Sequence, residues 1–392
     1  MADISLKEGS NMRDIFDVCQ KHGLPSLAQG MIEFPPPEKL RDIAAKKVLE
    51  TNLHTYRTRM GEKDYKEAIS GLVGKVYGET NVAPDNVLAV AGVAGGVTAA
   101  LLHLRNTNKE ANVAIMEPFY TYHSHEVERA FCRFPSVIPA KGDGPFPDWA
   151  ELERRVKANE VHGVIVTNPL NPSGSVMSEE TVDFLLGLAD SHALFVIFDE
   201  CYLDMMFNGK KHVSPLRTGF RDNVVCCRGF SKCLGCQSWR CGYAISTPAT
   251  LEGMMAMMDP LYICTNWTQH AMGEYFKLHT EDFVQHCSTL NELLQGNWQI
   301  LRDAFHRRFG WSSIEPDGTM YAMFKHSEET DIKACEIALK AGVGICPGNV
   351  FFGDVKHPPA CSGWVRIHCG VAREKAQLIA DTLAADEKGA GS

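Results

Sequence analysis

One lysine, Lys232, stands in a crowded and apolar stretch of the sequence, FSKCLGCQSWRCGY at residues 230–243. Most lysines near a buried strand extend their charged end to the surface. A lysine held among apolar groups is instead a nucleophilic amine that can form a Schiff base with a carbonyl compound. Which interpretation applies depends on the residues that the fold brings beside Lys232.

Polar residues also follow two other apolar runs. Asp199 directly follows the apolar run of ALFVIFDE, where a carboxylate needs a cation beside it, such as a protonated pyridine nitrogen. In TNPLNPSG, Asn168 and Asn171 each precede a proline, which fixes its own φ and favours an extended conformation of the residue before it. The loop is therefore stiff enough to orient an amide, although Asn-Pro is also common in ordinary turns.

These residues must be positioned by the elements between residues 86 and 246, where apolar runs alternate with helical patterns. Such alternation is typical of an α/β domain with a mainly parallel, doubly wound sheet flanked by helices. The expected strands are NVLAVA, NVAIMEP, VHGVIVTNP, ALFVIFDE, NVVCCRG and CGYAIS.

In sheets of this kind, ligands bind at the carboxyl ends of the strands. Polar residues follow three of the expected strands: Asn168, Asn171, Asp199, Tyr202, Ser231 and Lys232. The pattern therefore predicts an active site at this edge of the sheet.

The flanking segments differ from this pattern. Residues 1–45 predict a Pro-rich N-terminal arm, residues 46–284 the large ligand-binding domain, and residues 285–392 a smaller α+β domain that the arm joins. The last part mixes helical periodicity with short strands such as MYAMF and WVRIHCG.

Composition argues against several classes of function. The formal net charge is −9 and no basic block offsets it, so binding to nucleic acid or to an anionic membrane is not expected. The N-terminus lacks the apolar core of a signal peptide, and no apolar run approaches the length of a membrane span. These features predict a cytoplasmic protein.

The 14 cysteines are expected to be reduced and mostly buried, because the chain is long and no secretory signal is present. Cys233 and Cys236 form one CxxC, but no second ligand pair follows at zinc-finger spacing. We therefore expect no metal site, and the sequence does not indicate what the cysteine cluster near Lys232 does.

Nine stretches, in their order and spacing, resemble the fold-type I pyridoxal-phosphate-dependent aminotransferases of class I/II. The resemblance runs essentially end to end and implies a homodimer with active sites at the interface. The stretches are LAQGMIEFPPP, YRTRMG, AGVAGGV, EPFYTY, TNPLNPSGSV, FDECYLDMMF, FSKCLGCQSWRCGY, PGNVFFG and WVRIHCG.

The resemblance implies roles around the ring of pyridoxal 5'-phosphate. Lys232 resembles the Schiff-base lysine that also moves the substrate proton, and Asp199 resembles the partner of the pyridine nitrogen. Tyr202 and Asn171 are similar to the donors to the phenolic oxygen, and Tyr120 to the aromatic residue that stacks on the ring.

The resemblance also implies a phosphate site at the start of the helix after AGVAGG, where free backbone N–H groups favour an anion. The residues implied at this site are Gly92, Val93, Ala94, Ser231, Arg240 and, from the neighbouring subunit, Tyr56.

For the substrate, Arg366 resembles the arginine that binds the α-carboxylate through two parallel hydrogen bonds, with Gly30 and Asn171 completing that site. His123 and His125 either line a substrate pocket or are ordinary surface or hydrogen-bonded residues.

The phosphate site departs from the family pattern. Gly229 stands where relatives often carry a hydroxyl, AGVAGG has no Ser or Thr, and Ser238 is the nearest substitute hydroxyl. We therefore expect weaker phosphate anchoring than in typical relatives. The same loop lacks the G-x-G-x-x-G spacing of a dinucleotide site.

The sequence thus predicts a ping-pong amino acid:2-oxo acid aminotransferase acting on neutral or aromatic L-amino acids. A carbon–sulfur β-lyase, or a related elimination or cyclisation enzyme, is the alternative on the same fold, because reaction choice depends on geometry around the substrate Cα. A cofactor-binding regulator is disfavoured, since the N-terminal arm is too short for a DNA-binding domain. The sequence does not show which amino acid or oxo acid is used.

Overall fold

The computed structural model describes residues 4–142, 144–258, 264–354 and 357–389. The helices of this part are α1 (Met12–His22), α2 (Glu38–Leu49), α3 (Lys63–Tyr77), α4 (Gly92–Thr107), α5 (Thr121–Phe131), α6 (Trp149–Lys157), α7 (Glu179–His192), α8 (Pro248–Met258), α9 (Asn266–Leu278), α10 (Thr280–Phe309), α11 (Asp331–Lys340) and α12 (Arg373–Gly389). The strands are β1 (Val87–Val90), β2 (Val113–Met116), β3 (Ser136–Ile138), β4 (Gly163–Thr167), β5 (Phe195–Asp199), β6 (Val224–Gly229), β7 (Gly242–Ile245), β8 (Ser312–Ser313), β9 (Tyr321–Lys325), β10 (Cys346–Pro347) and β11 (Trp364–His368).

The larger sheet has seven strands in the order β1-β7-β6-β5-β4-β2-β3. Strand β7 runs antiparallel to both neighbours, and the other strand pairs are parallel. Buried residues of helices pack on both faces of the sheet, which confirms the predicted α/β class. The six expected strands are present, and β3 was not predicted because it has only three residues, two of them half-buried, at the sheet edge.

The smaller sheet is antiparallel, in the order β10-β11-β9-β8. The N-terminal segment is attached to it through Leu27, whose N–H donates to Gly344 O at 2.7 Å and whose carbonyl accepts from His368 N at 3.0 Å. The predicted domain bounds at residues 45 and 285 both fall inside helices, α2 and α10. The division into domains stays a prediction.

Helix α1 lies within the segment that the sequence predicted only as an arm. Asn11 accepts from Arg13 N and Asp14 N, while Asp14 accepts from Asn11 N, forming a reciprocal N-terminal cap. Gly23, with φ of 65°, ends the helix in the left-handed conformation. The sequence signals for this short helix, the Asn11–Asp14 cap and Gly23, were therefore present in the segment itself.

All fourteen cysteines are free thiols, and eleven of them are buried. None of the described helices is long and apolar enough to cross a membrane.

A buried ion network lies directly behind the carboxyl edge of the larger sheet. Arg228 on β6 donates from Nη1 and Nη2 to the two carboxylate oxygens of Glu79 at 2.6 and 2.7 Å, and from Nε to Glu200 at 2.6 Å. All three side chains are almost fully buried. Burial alone would raise the pKa of Glu200, but the charges of Arg228 and His212 more than offset it and hold that pKa at about 2.

We predict that Arg228→Ala lowers the free energy of unfolding by about 3–5 kcal/mol, because two buried carboxylates lose their counter-ion. Urea unfolding followed by circular dichroism measures this change. Adding Glu79→Gln and Glu200→Gln should recover part of the loss. Arg154→Ala, which removes an exposed arginine paired with Glu151, is the control and should have little effect. Equal losses for the two arginine variants would contradict the prediction.

Candidate active site

A cavity of about 190 Å³ opens at the carboxyl edge of the larger sheet. It lies where β4, β5 and β6 end, opposite the first turn of α4. The polar edge that the sequence predicted is therefore present. The predicted residues that line the cavity are Val93, Ala94, Tyr120, Asp199, Tyr202, Ser231, Lys232 and Arg240.

Lys232 follows β6 in a tight turn and is half-buried. Its Nζ donates a hydrogen bond to the carbonyl oxygen of Gly30 at 2.8 Å. A Cβ added to Gly30 would overlap the hydroxyl of Tyr321, so a larger residue here would require the Tyr321 ring to move. The N-terminal segment thus brings one predicted substrate residue into contact with the lysine amine.

Asp199 is held from two sides at the end of β5. His123 Nε2 lies 3.0 Å from Asp199 Oδ2, and Cys201 N donates to Oδ1 at 3.1 Å. Burial by itself lowers the pKa of His123, but the hydrogen bond and charge of Asp199 and the charge of Glu126 raise it above its ordinary value. His123 is buried and lines the cavity, whereas the side chain of His125 is half exposed and does not line it, so only His123 belongs to the site.

Glu126, one turn after His123 on α5, lines the same cavity and was not predicted from the sequence. Burial raises the pKa of this carboxyl group to about 7, although the nearby charge of His123 acts in the opposite direction. The sequence did carry one signal for Glu126, because residues three apart, such as His123 and Glu126, lie on the same face of a helix. The same spacing is equally typical of a helix face exposed to solvent.

The predicted phosphate end of the cavity combines a helix start with an arginine. Gly92 begins α4 with φ of 72°, and Ala91 before it has no side chain that could cap the helix. Arg240 Nη2 donates to Ala91 O at 2.8 Å. A Cβ on Gly92 would come within 2.6 Å of Arg240 Nη2, so the glycine allows the guanidinium to lie against the helix start.

Ser238 does not supply the substitute hydroxyl that the sequence suggested. It is exposed and does not line the cavity, whereas its neighbour Gln237 does. The short 3₁₀ turn at Gln237–Trp239 carries Ser238 outward. Ser231, which is buried, is the serine that reaches the cavity.

Asn171 connects the cavity to Arg366 on β11 of the smaller sheet. Arg366 Nη1 donates to Asn171 Oδ1 at 2.9 Å, and Asn171 Nδ2 lies 3.5 Å from Tyr202 Oη, at the limit of a hydrogen bond. Arg366 is 1% exposed, and its Nη2 donates to Ala28 O at 2.7 Å. Its Nε is buried without a partner among the described residues.

Two aromatic rings that the sequence did not single out enclose Arg366. The guanidinium carbon lies 4.2 Å from the ring centre of Tyr321 and 4.8 Å from that of Phe351. Stacking of this kind fixes the plane of the guanidinium group and so the direction of its donors.

Tyr56 is not brought to this cavity. It is 92% exposed and follows a short 3₁₀ turn at Thr51–His54.

The cluster of His326, Asp331 and Cys361 has metal-ligating residue types but a different role. His326 Nδ1 accepts from Glu328 N, so Nε2 carries the proton and donates to Asp331 at 2.9 Å. Both ring nitrogens are therefore engaged, and Asp331 also accepts from Ser362 N. The group anchors a loop by hydrogen bonds.

Comparison with known proteins places these features in a family. Residues 24–383 match the family of class I and II aminotransferases. An aspartate aminotransferase of Pyrococcus abyssi is 24% identical, over 97% of this chain and 96% of the relative. The aromatic-amino-acid aminotransferase 2 of Thermococcus litoralis is 23% identical, over 95% and 94% of the two chains.

Solved structures show the same fold. The aspartate aminotransferase of Thermus thermophilus, determined with maleate, has a TM-score of 0.83 at 20% identity and covers 96% of each chain. The aromatic aminotransferase of Pyrococcus horikoshii has a TM-score of 0.81 at 21% identity, covering 97% of this chain and 99% of the other. With the match along most of its length, the chain belongs to the class I and II aminotransferases and is itself an aminotransferase.

Proposed function

We propose that this enzyme transfers the amino group of a neutral or aromatic L-amino acid to a 2-oxo acid in two half-reactions, using pyridoxal 5'-phosphate. The observation that carries the proposal is the placement of an amine, a carboxylate and an arginine. Lys232 and Asp199 line one cavity, and Arg366 is connected to it through Asn171 and Tyr202.

The residues present fit this cofactor. The buried carboxylate of Asp199 suits a protonated pyridine nitrogen, and Lys232 is the amine that would attach the cofactor. The uncapped start of α4, with Arg240 beside Gly92, suits a phosphate group. When bound, the cofactor supplies an electron sink for the charge left at the substrate Cα after its proton is removed.

Lys232 Nζ is the group that takes this proton and returns it. Its hydrogen bond to Gly30 O keeps the amine near the N-terminal segment, which also contacts Arg366 through Ala28. The amine and the arginine are thus held relative to each other by one short stretch of backbone, Ala28 to Gly30. A substrate whose carboxylate binds Arg366 would be positioned by the same stretch.

His123 has the task of orienting Asp199. With the proton on Nε2 it donates to Asp199 Oδ2, while the Cys201 N–H holds the second oxygen. The carboxylate therefore presents a fixed edge to the cavity. Because the carboxylate of Asp199 is held in this way, it would stabilise a positive charge on the pyridine nitrogen without any rearrangement during the reaction.

Arg366 is suited to a substrate carboxylate. The rings of Tyr321 and Phe351 fix its plane, and its Nε has no partner among the described residues, so an incoming carboxylate would satisfy a buried donor.

The preference for a neutral or aromatic side chain is supported by the surroundings. Among the described residues that line the cavity, the basic side chains are Lys232, Arg240 and His123, and all three already have proposed tasks, since His123 is paired with Asp199. This leaves no cation there for a second carboxylate, while Tyr120 and Tyr202 offer aromatic surface.

We further propose a homodimer. Tyr56 is almost fully exposed and lies outside its own cavity, as expected if it reaches the phosphate site of a second subunit.

The proposal is tested by the visible absorption spectrum of the cofactor-loaded enzyme, recorded with a panel of L-amino acids and no oxo acid. We expect a lasting loss of the visible band, fastest with neutral or aromatic amino acids, and recovery on adding a 2-oxo acid. Lys232→Ala should slow the change at least about a hundredfold, because it removes the proton-transfer group. A band that recovers by itself while pyruvate accumulates would identify a lyase instead.

We predict that Arg366→Gln raises KM for the amino acid by about tenfold to a hundredfold, because charge-assisted hydrogen bonds contribute roughly 1.5–3 kcal/mol. Cofactor absorbance should stay the same. Steady-state kinetics and the spectrum measure the two effects. Lys325→Gln, on the neighbouring strand β9 with an exposed side chain, is the control. Loss of cofactor without a change in KM would contradict the assignment of Arg366.

Phosphate anchoring gives a further prediction. Arg240→Ala should release the cofactor on dialysis faster than the unchanged enzyme does, because the phosphate loses its one arginine among the described cavity residues. Ser238→Ala should have no effect, since Ser238 lies outside the cavity. Absorbance of the retained cofactor measures both. Equal retention by the two variants would show that backbone groups suffice.

A further inference from the structure

A second cavity, of about 240 Å³, lies between the carboxyl ends of β2 and β4. We call it the β2–β4 cavity. Met116 at the end of β2 and Val166 on β4 form part of its wall, and Phe119, Trp149 and Met177 enclose it from the loops and from α6. None of the mechanistic roles above uses this space.

The β2–β4 cavity shares two wall residues with the Lys232 cavity. His123 and Thr167 line both. His123 is the residue whose Nε2 lies 3.0 Å from Asp199. A molecule in the β2–β4 cavity would therefore touch the ring that orients the carboxylate of the proposed cofactor site.

The wall determines which chemistry can enter. The described lining residues include no Asp, Glu, Lys or Arg, and His123 is already paired with Asp199, so a charged ligand would lose its hydration without gaining an unpaired partner. Two of the hydroxyl groups are already engaged, since Ser178 Oγ caps α7 by accepting from Thr181 N and also lies 3.3 Å from Thr181 Oγ1. The remaining surface is mainly aromatic, aliphatic and thioether, which favours a neutral aromatic molecule.

Size and access agree with this chemistry. A cavity of about 150 Å³ lined by apolar side chains accepts benzene, so about 240 Å³ leaves room for a fused pair of rings. Phe146, which is part of the wall, is 43% exposed and so connects the cavity to the surface.

We infer that the β2–β4 cavity is a binding site for a small neutral bicyclic aromatic molecule, and that its occupancy changes the cofactor site through His123. The binding itself is independent of the proposed function. The effect on the cofactor rests on the proposed role of Asp199, so binding and effect are measured separately.

The test uses indole as the probe and the cofactor-loaded enzyme. Thr181→Phe fills the cavity from the first turn of α7, and Thr289→Phe, at an exposed position of α10, is the matched control. By calorimetry we expect one indole per chain, at least tenfold weaker binding to Thr181→Phe, and unchanged binding to Thr289→Phe. Indole-3-acetate, which carries a charge, should bind at least tenfold more weakly than indole.

Indole should also shift the visible absorption of the bound cofactor in the unchanged enzyme and in Thr289→Phe, but not in Thr181→Phe. Saturating amino acid should leave indole binding intact. Equal binding to both variants, or displacement of indole by the amino acid, would overturn the site. Binding without a spectral shift would overturn the coupling through His123, even if the transamination test succeeds.

Discussion

The buried ion network of Arg228 is the interaction on which the geometry of the site depends. Arg228 lies on β6, four residues before Lys232, and Glu200 directly follows Asp199 at the end of β5. Their hydrogen bond therefore joins the two strand ends that carry the amine and the carboxylate. Because an unpaired charge in this interior would be costly, the two ends are held in one relative position.

The rest of the site is assembled across two sheets. The larger sheet contributes the cavity, while Arg366 comes from the smaller sheet and is connected to it by Asn171. The N-terminal segment completes the connection, because Ala28 and Gly30 accept hydrogen bonds from Arg366 and Lys232. Each group to which we assign a catalytic or binding role is thus fixed by a contact with a distant part of the chain, which is what a preorganised site requires.

The glycine at position 229, which departs from the family pattern at the proposed phosphate site, has a packing reason. A Cβ at Gly229 would lie 3.1 Å from Val93 Cγ2, a close contact, so β6 and α4 pack tightly where relatives often carry a hydroxyl. The hydroxyl of Ser238 does not compensate, because its turn faces outward. The groups that the structure offers to the proposed phosphate at this end are Arg240, Ser231 and the helix start, and weaker anchoring of the phosphate stays a prediction.

The sequence by itself determined six of the seven strands of the larger sheet, the fold class and most of the residues that meet at its carboxyl edge, because apolar periodicity and strand ends are local features. Only the tertiary structure decided that His123 holds Asp199, that Tyr321 and Phe351 enclose Arg366, and that Glu126 is buried. It also showed that Ser238 lies outside the Lys232 cavity, and it revealed strand β3 and the β2–β4 cavity. These outcomes depend on contacts between residues far apart in sequence, such as Asn171 with Arg366, for which local patterns carry no signal.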